Sequence, residues 1–280
     1  MKFGTDGVRG VAHEELTTEF AARLARAASR VLGGDDVHGV VIGGDTREST
    51  PDFVEALALG FTTSGFDVID LGVVPTPTVA FEAQRRGVLG AMVSASHNPY
   101  HDNGIKLFAA GGTKLSDDVQ ARIEALLADD DASTSADTAG RGPTPGTRRA
   151  EGDTAAYVDH VVATLEGRRL DGLRVVLDVA NGAAVDLAPT VLRSCGADVS
   201  VIADRPDGRN INDGCGATRP DAVAAVVVDQ EADLGIALDG DADRLIAVDH
   251  RGEVVDGDHV IAICADDLRA RRLLAYDTVV

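Results

Sequence analysis

Short apolar runs alternate with helix-period stretches along this chain, and that alternation restricts its fold more than any other feature. Leu16–Leu32 carries Ala, Leu and Arg at helical spacing, with Thr17 or Thr18 placed to cap its start and Gly33 just past its end. Val40–Ile42 is a short strand that delivers Asp45 and Arg47 to a loop. Thr50-Pro51 opens a second helix closed by Gly65, Phe66–Leu71 reads as a strand, and 78–86 as a third helix ending before Gly87. A helix capped by Ser116 follows, running to about Leu127. The same grammar then repeats: helix 154–165, strand Arg174–Val179, a helix to Arg193, strand Asp198–Ile202, helix Pro220–Val228, strand Leu234–Leu238, a hairpin around His250-Arg251-Gly252, and helix 258–272. This order predicts an α/β fold of consecutive domains, each with a mixed, largely parallel sheet flanked by helices.

Residues 128–153 interrupt the pattern. They hold almost no large apolar side chain and are dominated by Gly, Pro, Ser, Thr and Asp, the composition of a linker or a long surface excursion. Domains are therefore expected at 1–142 and 143–254, with 255–280 the start of a third. The apolar stub Thr278–Val280 reads as a strand with nothing after it, as if the chain broke off inside that third domain.

Charge narrows the function classes. The net charge is −20, from 35 Asp, 11 Glu, 23 Arg and only 3 Lys, and the carboxylates are spread along the whole length rather than gathered in a tail. Such a surface is solvating, of the kind found in halophiles, and it disfavours nucleic acid or an anionic membrane as a partner. No run approaches the roughly 18 apolar residues of a membrane span, and MKFGTDGVRG lacks a signal-peptide core. A cytoplasmic location follows as the expectation. Cys195, Cys215 and Cys264 form no CxxC pair, so buried free thiols are expected rather than zinc or a disulfide framework. Oligomeric state is left open.

Three stretches carry chemistry. In SASHNPYHDNGIK, Ser94–Lys106, two apolar runs flank a loop holding a hydroxyl (Ser96), an imidazole (His97), an amide (Asn98), a carboxylate (Asp102) and an amine (Lys106). A well-bonded turn at Asn98-Pro99 is the bland reading. A Ser-His-Asp hydrolase is disfavoured, because adjacent Ser96 and His97 cannot easily adopt that geometry and no G-x-S-x-G elbow is present. In DGDADR, Asp239, Asp241 and Asp243 alternate just beyond an apolar strand. Converging carboxylates repel unless a hard cation sits among them, which points to oxygen-ligated Mg²⁺; a solvated acidic turn is the alternative. An EF-hand fails, with Arg244 and His250 where Gly and Glu are required. An aspartyl phosphatase of the haloacid-dehalogenase type, with Asp239 as nucleophile, stays open. In GTDGVRG, Gly4–Gly10, three glycines surround Asp6 and Arg9, and Arg9 is suited to fork onto a phosphate. A phosphoryl group carried on Ser96, its charge offset by a carboxylate-bound metal, uses all three stretches at once. His97 then serves to position the loop, and Lys106 lies near the site.

Together, FGTDGVRG, SASHNP and DGDADR resemble, in order, the phosphate-contacting, phosphoserine and metal loops of the α-D-phosphohexomutase family. KFGTDGVRG, SASHNPYHDNGIK, PDGRNINDGCGAT and DGDADRLIAVDHRGEVVDGD look most like the branch that interconverts glucosamine 6-phosphate and glucosamine 1-phosphate. The phosphomannose and phosphoglucose branches, and an acidic fragment without turnover, are the alternatives. The resemblance implies a four-domain phosphotransferase acting on a phosphosugar, with a hexose 1,6-bisphosphate as primer and intermediate. It further implies Ser96 as the phosphoserine and one Mg²⁺ held by Asp239, Asp241, Asp243 and a Ser96 phosphate oxygen. Arg9, Arg244 and His97 would contact phosphate. Lys106 would move protons or stabilise charge, a role for which a lowered pKa is expected.

Overall fold

Alternation along one strand decides the architecture of the first lobe. In β2 (Gly39–Gly44), Val40 and Ile42 point into one apolar cluster and Val41 into another, on the opposite face of the sheet. A strand buried on both faces needs helices on both sides. The computed structural model describes residues 4, 7–34, 37–132 and 144–279, with no account of the side chains of 130–132. Among the described residues no helix is long and apolar enough to cross a membrane.

The first lobe contains β1 (Val8–Val11), α1 (Thr18–Leu32), β2, α2 (Thr50–Thr63), β3 (Asp67–Val73), α3 (Thr76–Arg86), β4 (Leu89–Val93), β5 (Asp102–Phe108), α4 (Asp117–Ala132) and β6 (Arg148–Ala150). Its sheet has the order β1-β5-β4-β2-β3-β6. The β4-β2-β3-β6 part is parallel, and β5 and β1 run antiparallel at one side. Thr17 caps α1 by accepting from the Phe20 amide at 3.1 Å, and Gly87 ends α3 at φ 65°. Leu24, Phe53, Leu57 and Phe61 of α1 and α2 fill one face with Val40, Ile42 and Ile105. Each such side chain contributes roughly 1.5–3 kcal/mol by leaving water. Val79 and Ala83 of α3 cover the other face with Val41, Leu71 and Met92.

The second lobe contains α5 (Ala155–Ala163), β7 (Arg174–Asp178), α6 (Leu187–Ser194), β8 (Asp198–Ile202), α7 (Pro220–Asp229), β9 (Leu234–Leu238), β10 (Leu245–Asp249), β11 (Val254–Val255) and α8 (Gly257–Ala270). The sheet order is β11-β10-β9-β7-β8, parallel across β9-β7-β8 and antiparallel across β11-β10-β9. Val223 and Val227 of α7 pack on Val176, Ala237 and Val248, and α6 covers the opposite face around Leu177 and Val199. The α/β class and the mixed sheets are thus those expected from the sequence.

Five details differ. Val8–Val11, read as part of a Gly-rich opening, is an edge strand on β5, because its amides find partners there rather than in water. Helix α4 continues to Ala132, past the point where the linker was expected to begin. Arg148–Ala150, placed with the second domain by the sequence, pairs with β3 and closes the first sheet, while the expected boundary at 142/143 and Asp6 lie outside the described residues. Cys195 and Cys215 are buried as expected, but Cys264 is exposed, because α8 turns none of its residues into a core. Thr278 and Val279 form no strand; a short 3₁₀ turn, Ala275–Asp277, precedes them, and Val280 is outside the described residues.

The lobes meet tightly. Ala183 of the second lobe completes the cluster formed by Val41, Leu71, Val79 and Met92 of the first. The Thr46 hydroxyl donates to the Asn181 carbonyl at 2.5 Å, the Glu48 amide to Gly208 at 2.9 Å and the Thr76 amide to Asp241 at 3.0 Å.

Candidate active site

The loop between β4 and β5 and the hairpin turn between β9 and β10 face each other across this junction. β4 is buried throughout, so its end leaves Ser94, Ala95 and Ser96 sealed as well. Ser96 takes the left-handed conformation, φ 57°, which costs a non-glycine residue roughly 1–2 kcal/mol and is held only by surrounding bonds. The Ser94 hydroxyl accepts its amide at 2.9 Å. Asn98 donates to Asp102 Oδ2 at 2.9 Å and closes the loop.

Opposite, β9 and β10 pair Leu238 with Leu245, so DGDADR is the turn of a hairpin. The Arg244 amide donates to Asp239 Oδ1 at 3.1 Å and its Nε to Asp239 Oδ2 at 3.0 Å. Ser96 Oγ donates to the same Asp239 Oδ2 at 2.7 Å, and Arg244 Nη2 donates to Ser96 Oγ. The hydroxyl of one lobe therefore sits inside the carboxylate–guanidinium pair of the other. Burial, then the Asp241 charge, push the Asp239 carboxyl above its ordinary value.

Asp241 and Asp243 share a cation. Lys106 Nζ donates to Asp241 Oδ2 at 2.7 Å and to Asp243 Oδ2 at 2.8 Å, and the Thr76 hydroxyl adds a 2.7 Å bond to Asp241 Oδ2. Burial pushes Asp241 up, but the Lys106 charge and these hydrogen bonds outweigh it and hold the carboxyl below its usual range. The same balance runs in reverse for Lys106: burial pulls the ammonium down, and Asp241 with Asp243 more than restores it, so its pKa is raised. This corrects the expectation of a lowered value. In this structure Lys106 is a firmly held cation.

Ligand oxygens of Asp239, Asp241 and Asp243 lie within 4.8 Å of one another, and Asp241 Oδ1 is buried without a hydrogen-bond partner. An all-oxygen set with one orphaned buried acceptor fits a hard divalent cation.

His97 is exposed at the rim, where Arg244 Nη2 donates to its Nδ1 at 2.7 Å. Partial burial, then the Arg244 and Arg9 charges, lower its pKa and keep the imidazole neutral. Arg9 stands on β1 opposite Gly104, half-buried, on the side of the loop where its charge reaches His97. A cavity of about 400 Å³, lined by His97, Thr218, Asp239, Arg244 and Ile246, opens on this side of the site.

All eight residues singled out from the sequence thus fall around one junction. Several others act there to which the sequence assigned no role. Arg47 is buried and donates to the carbonyls of Ser96, Asn98 and Pro99 at 3.0, 2.9 and 2.5 Å while pairing with Asp45 at 2.9 Å. Asn212 Nδ2 donates to the Ser96 carbonyl at 2.9 Å, and Thr76 braces Asp241. The signal for Arg47 was an arginine three residues past a wholly apolar strand, beside Asp45, where a buried charge demands partners; Asn212 and Thr76 carried none.

Known proteins place this geometry. Residues 1–134 match the phosphoglucomutase/phosphomannomutase alpha/beta/alpha domain I and residues 155–252 the corresponding domain II. A phosphoglucosamine mutase of Pelotomaculum thermopropionicum is 48% identical over 282 residues, covering 100% of this chain and 63% of its own length. One from Symbiobacterium thermophilum is 50% identical, covering 99% of this chain and 62% of its own length. This chain therefore spans a little over three fifths of these relatives. The solved structure of a phosphoglucomutase/phosphomannomutase family protein from Burkholderia thailandensis superposes with a TM-score of 0.81 at 28% identity, over 96% of this chain and 59% of that one. With both domain matches lying in sequence order and the Ser96 and Asp239 loops meeting between them, this chain belongs to the phosphoglucomutase/phosphomannomutase family.

Proposed function

We propose that these two lobes carry the phosphoryl-transfer centre of an enzyme that converts glucosamine 6-phosphate to glucosamine 1-phosphate. The observation behind this reading is the 2.7 Å bond from Ser96 Oγ to Asp239, with Arg244 on the same oxygen. An attacking serine needs a base and an oxyanion hole; a serine set among cations and carboxylates suits a phosphate. The glucosamine branch is supported by the names of the relatives at 48% and 50% identity. Family membership does not favour the aspartyl-phosphatase alternative, which also leaves the Ser96 loop without a task.

In the first half-reaction the bond from phosphorus to Ser96 Oγ breaks as one forms to the C1 hydroxyl oxygen of the sugar. The hydroxyl's proton ends on Ser96 Oγ, which again donates to Asp239 Oδ2. The glucosamine 1,6-bisphosphate then reorients; the bond from its 6-phosphorus to O6 breaks as one forms to Ser96 Oγ, and the Ser96 proton ends on O6, leaving glucosamine 1-phosphate. Transfers of this kind depend mainly on alignment and charge neutralisation. Arg244 and Arg9 are suited to the phosphoryl oxygens, neutral His97 holds Arg244 in place, and the Lys106 ammonium compensates developing charge. Asp239, Asp241 and Asp243 would hold Mg²⁺, which when bound supplies polarisation of the phosphoryl group.

Mapping the phosphate tests the reading. After incubation with glucosamine 1,6-bisphosphate and Mg²⁺, intact mass and peptide sequencing should find an acid-stable phosphate on Ser96. An acid-labile phosphate on Asp239 would overturn it.

A further inference from the structure

Two residues not assigned to the chemistry converge on one backbone atom. The Ser96 carbonyl accepts from Arg47 Nη2 at 3.0 Å and from Asn212 Nδ2 at 2.9 Å. Both donors also reach the Asn98 carbonyl, at 2.9 and 3.3 Å, and Arg47 adds Pro99. Arg47 belongs to the first lobe and is 1% exposed, its charge matched by Asp45, which in turn accepts from the Thr50 hydroxyl and the Arg47 amide. Asn212 belongs to the second lobe, is itself left-handed at φ 59°, and leaves its own Oδ1 buried without a partner. An orphaned buried acceptor is destabilising, and the left-handed backbone is one that few residues besides glycine and asparagine adopt. Both hydrogen bonds of its side-chain nitrogen go to the serine loop.

We infer that Arg47 and Asn212 are positioning residues that clamp the Ser96 carbonyl from the two lobes and so hold the serine in its left-handed conformation. This rests on the reading of Ser96 as phosphoryl carrier. The peptide unit cannot rotate while two donors from different lobes hold its oxygen, and Oγ is thereby aimed at Asp239 and Arg244. Because one donor comes from each lobe, the serine is aligned only when the lobes are docked.

Asn212→Ala and Asn212→Asp test this without disturbing the core; Arg47→Lys, which keeps a charge for Asp45 but cannot reach three carbonyls, is the second probe. Ser96 phosphorylation by glucosamine 1,6-bisphosphate and Mg²⁺ is followed by mass against bisphosphate concentration, and Mg²⁺ affinity is measured by calorimetry. The maximal rate should fall about tenfold in Asn212→Ala, misalignment by an ångström costing up to about 10²-fold, and further in Asn212→Asp, where a carboxylate faces two carbonyls. Half-saturation and Mg²⁺ affinity should be unchanged in Asn212→Ala. Wild-type rates in both Asn212 variants, or a change in half-saturation alone, would overturn the clamp. Should the wild-type chain take no phosphate, the carrier reading fails instead, and hydrogen exchange decides the clamp: faster exchange in 94–104 of Asn212→Ala with 174–178 unaltered supports it, and unaltered exchange in 94–104 sinks it.

Discussion

Gly240 lies directly against Ser96: a Cβ built on the glycine would stand 2.6 Å from the Ser96 carbonyl oxygen, nearer than real contacts allow. The same Cβ would meet Asn212 Nδ2 at 2.9 Å. The second residue of the acidic turn is therefore small because the serine loop and its amide donor occupy the space a side chain needs.

Gly240→Ala is expected to push the lobes apart at the site itself. Overpacking of this kind costs about 1–3 kcal/mol, readable by urea unfolding, and Ser96 phosphorylation should slow with it. Unchanged stability and labelling would show that the junction yields without consequence.

Asp239→Asn should raise the melting temperature of the metal-free chain at pH 7 by a few degrees while abolishing phosphate uptake. Its carboxyl is raised by burial and the Asp241 charge, so ionising it opposes folding above its folded pKa. As pH falls through that value the wild-type carboxyl is protonated in the folded state, and the advantage of Asn should vanish. Melting curves of both proteins, followed from neutral pH down into the ordinary aspartate range, would show the two converging on the acid side. A constant offset would contradict it.

Lys106→Met leaves Asp241 and Asp243 facing each other without their shared cation. Removing one partner of a buried pair costs about 3–5 kcal/mol. Mg²⁺ should recover more stability in the variant than in the wild type, as followed by thermal shift against metal concentration. The raised Lys106 pKa adds a second signature: its stabilisation is complete below the unfolded lysine value and disappears as pH rises through the folded one. The variant's deficit should therefore shrink at strongly alkaline pH; equal Mg²⁺ responses would refute the shared-cation account.

Salt separates two opposing surface effects. Dispersed carboxylates at a net charge of −20 repel one another, whereas exposed pairs such as Arg219–Asp221 and Arg251–Glu253 attract. Exposed pairs contribute little because solvent screens them, so repulsion should dominate. Raising KCl from about 0.1 to about 1 M shortens the screening length from about 10 to about 3 Å and should raise the melting temperature. A fall would show that the pairs outweigh the repulsion.

Much of this protein was legible from its residues alone. Periodicity set the helices and strands, because burial on one or two faces imposes its repeat on neighbouring residues. Strands Asp198–Ile202 and Leu234–Leu238 came out at the residues read from the sequence. β1 was hidden because an edge strand beside glycines is buried too little to show a pattern. β6 was hidden because its three residues, Arg-Arg-Ala, are all exposed and held by backbone bonds to β3.

At the site the division follows the same physics. Ser96, Asp239, Asp241 and Asp243 announce themselves because reactive groups crowd together locally in the chain. What those groups do to each other depends on contacts that sequence distance conceals: Ser96 on Asp239 across 143 positions, Thr76 on Asp241 across 165, Asn212 on Ser96 across 116. The charge state of Lys106 was of this kind, since burial alone lowers an ammonium and only the arrival of two carboxylates raises it. The sequence by itself determined the layers of the fold and the chemical groups of the site. Docking of the two lobes decided which oxygen each donor reaches, because hydrogen bonds and charges act over a few ångströms that only the folded chain brings together.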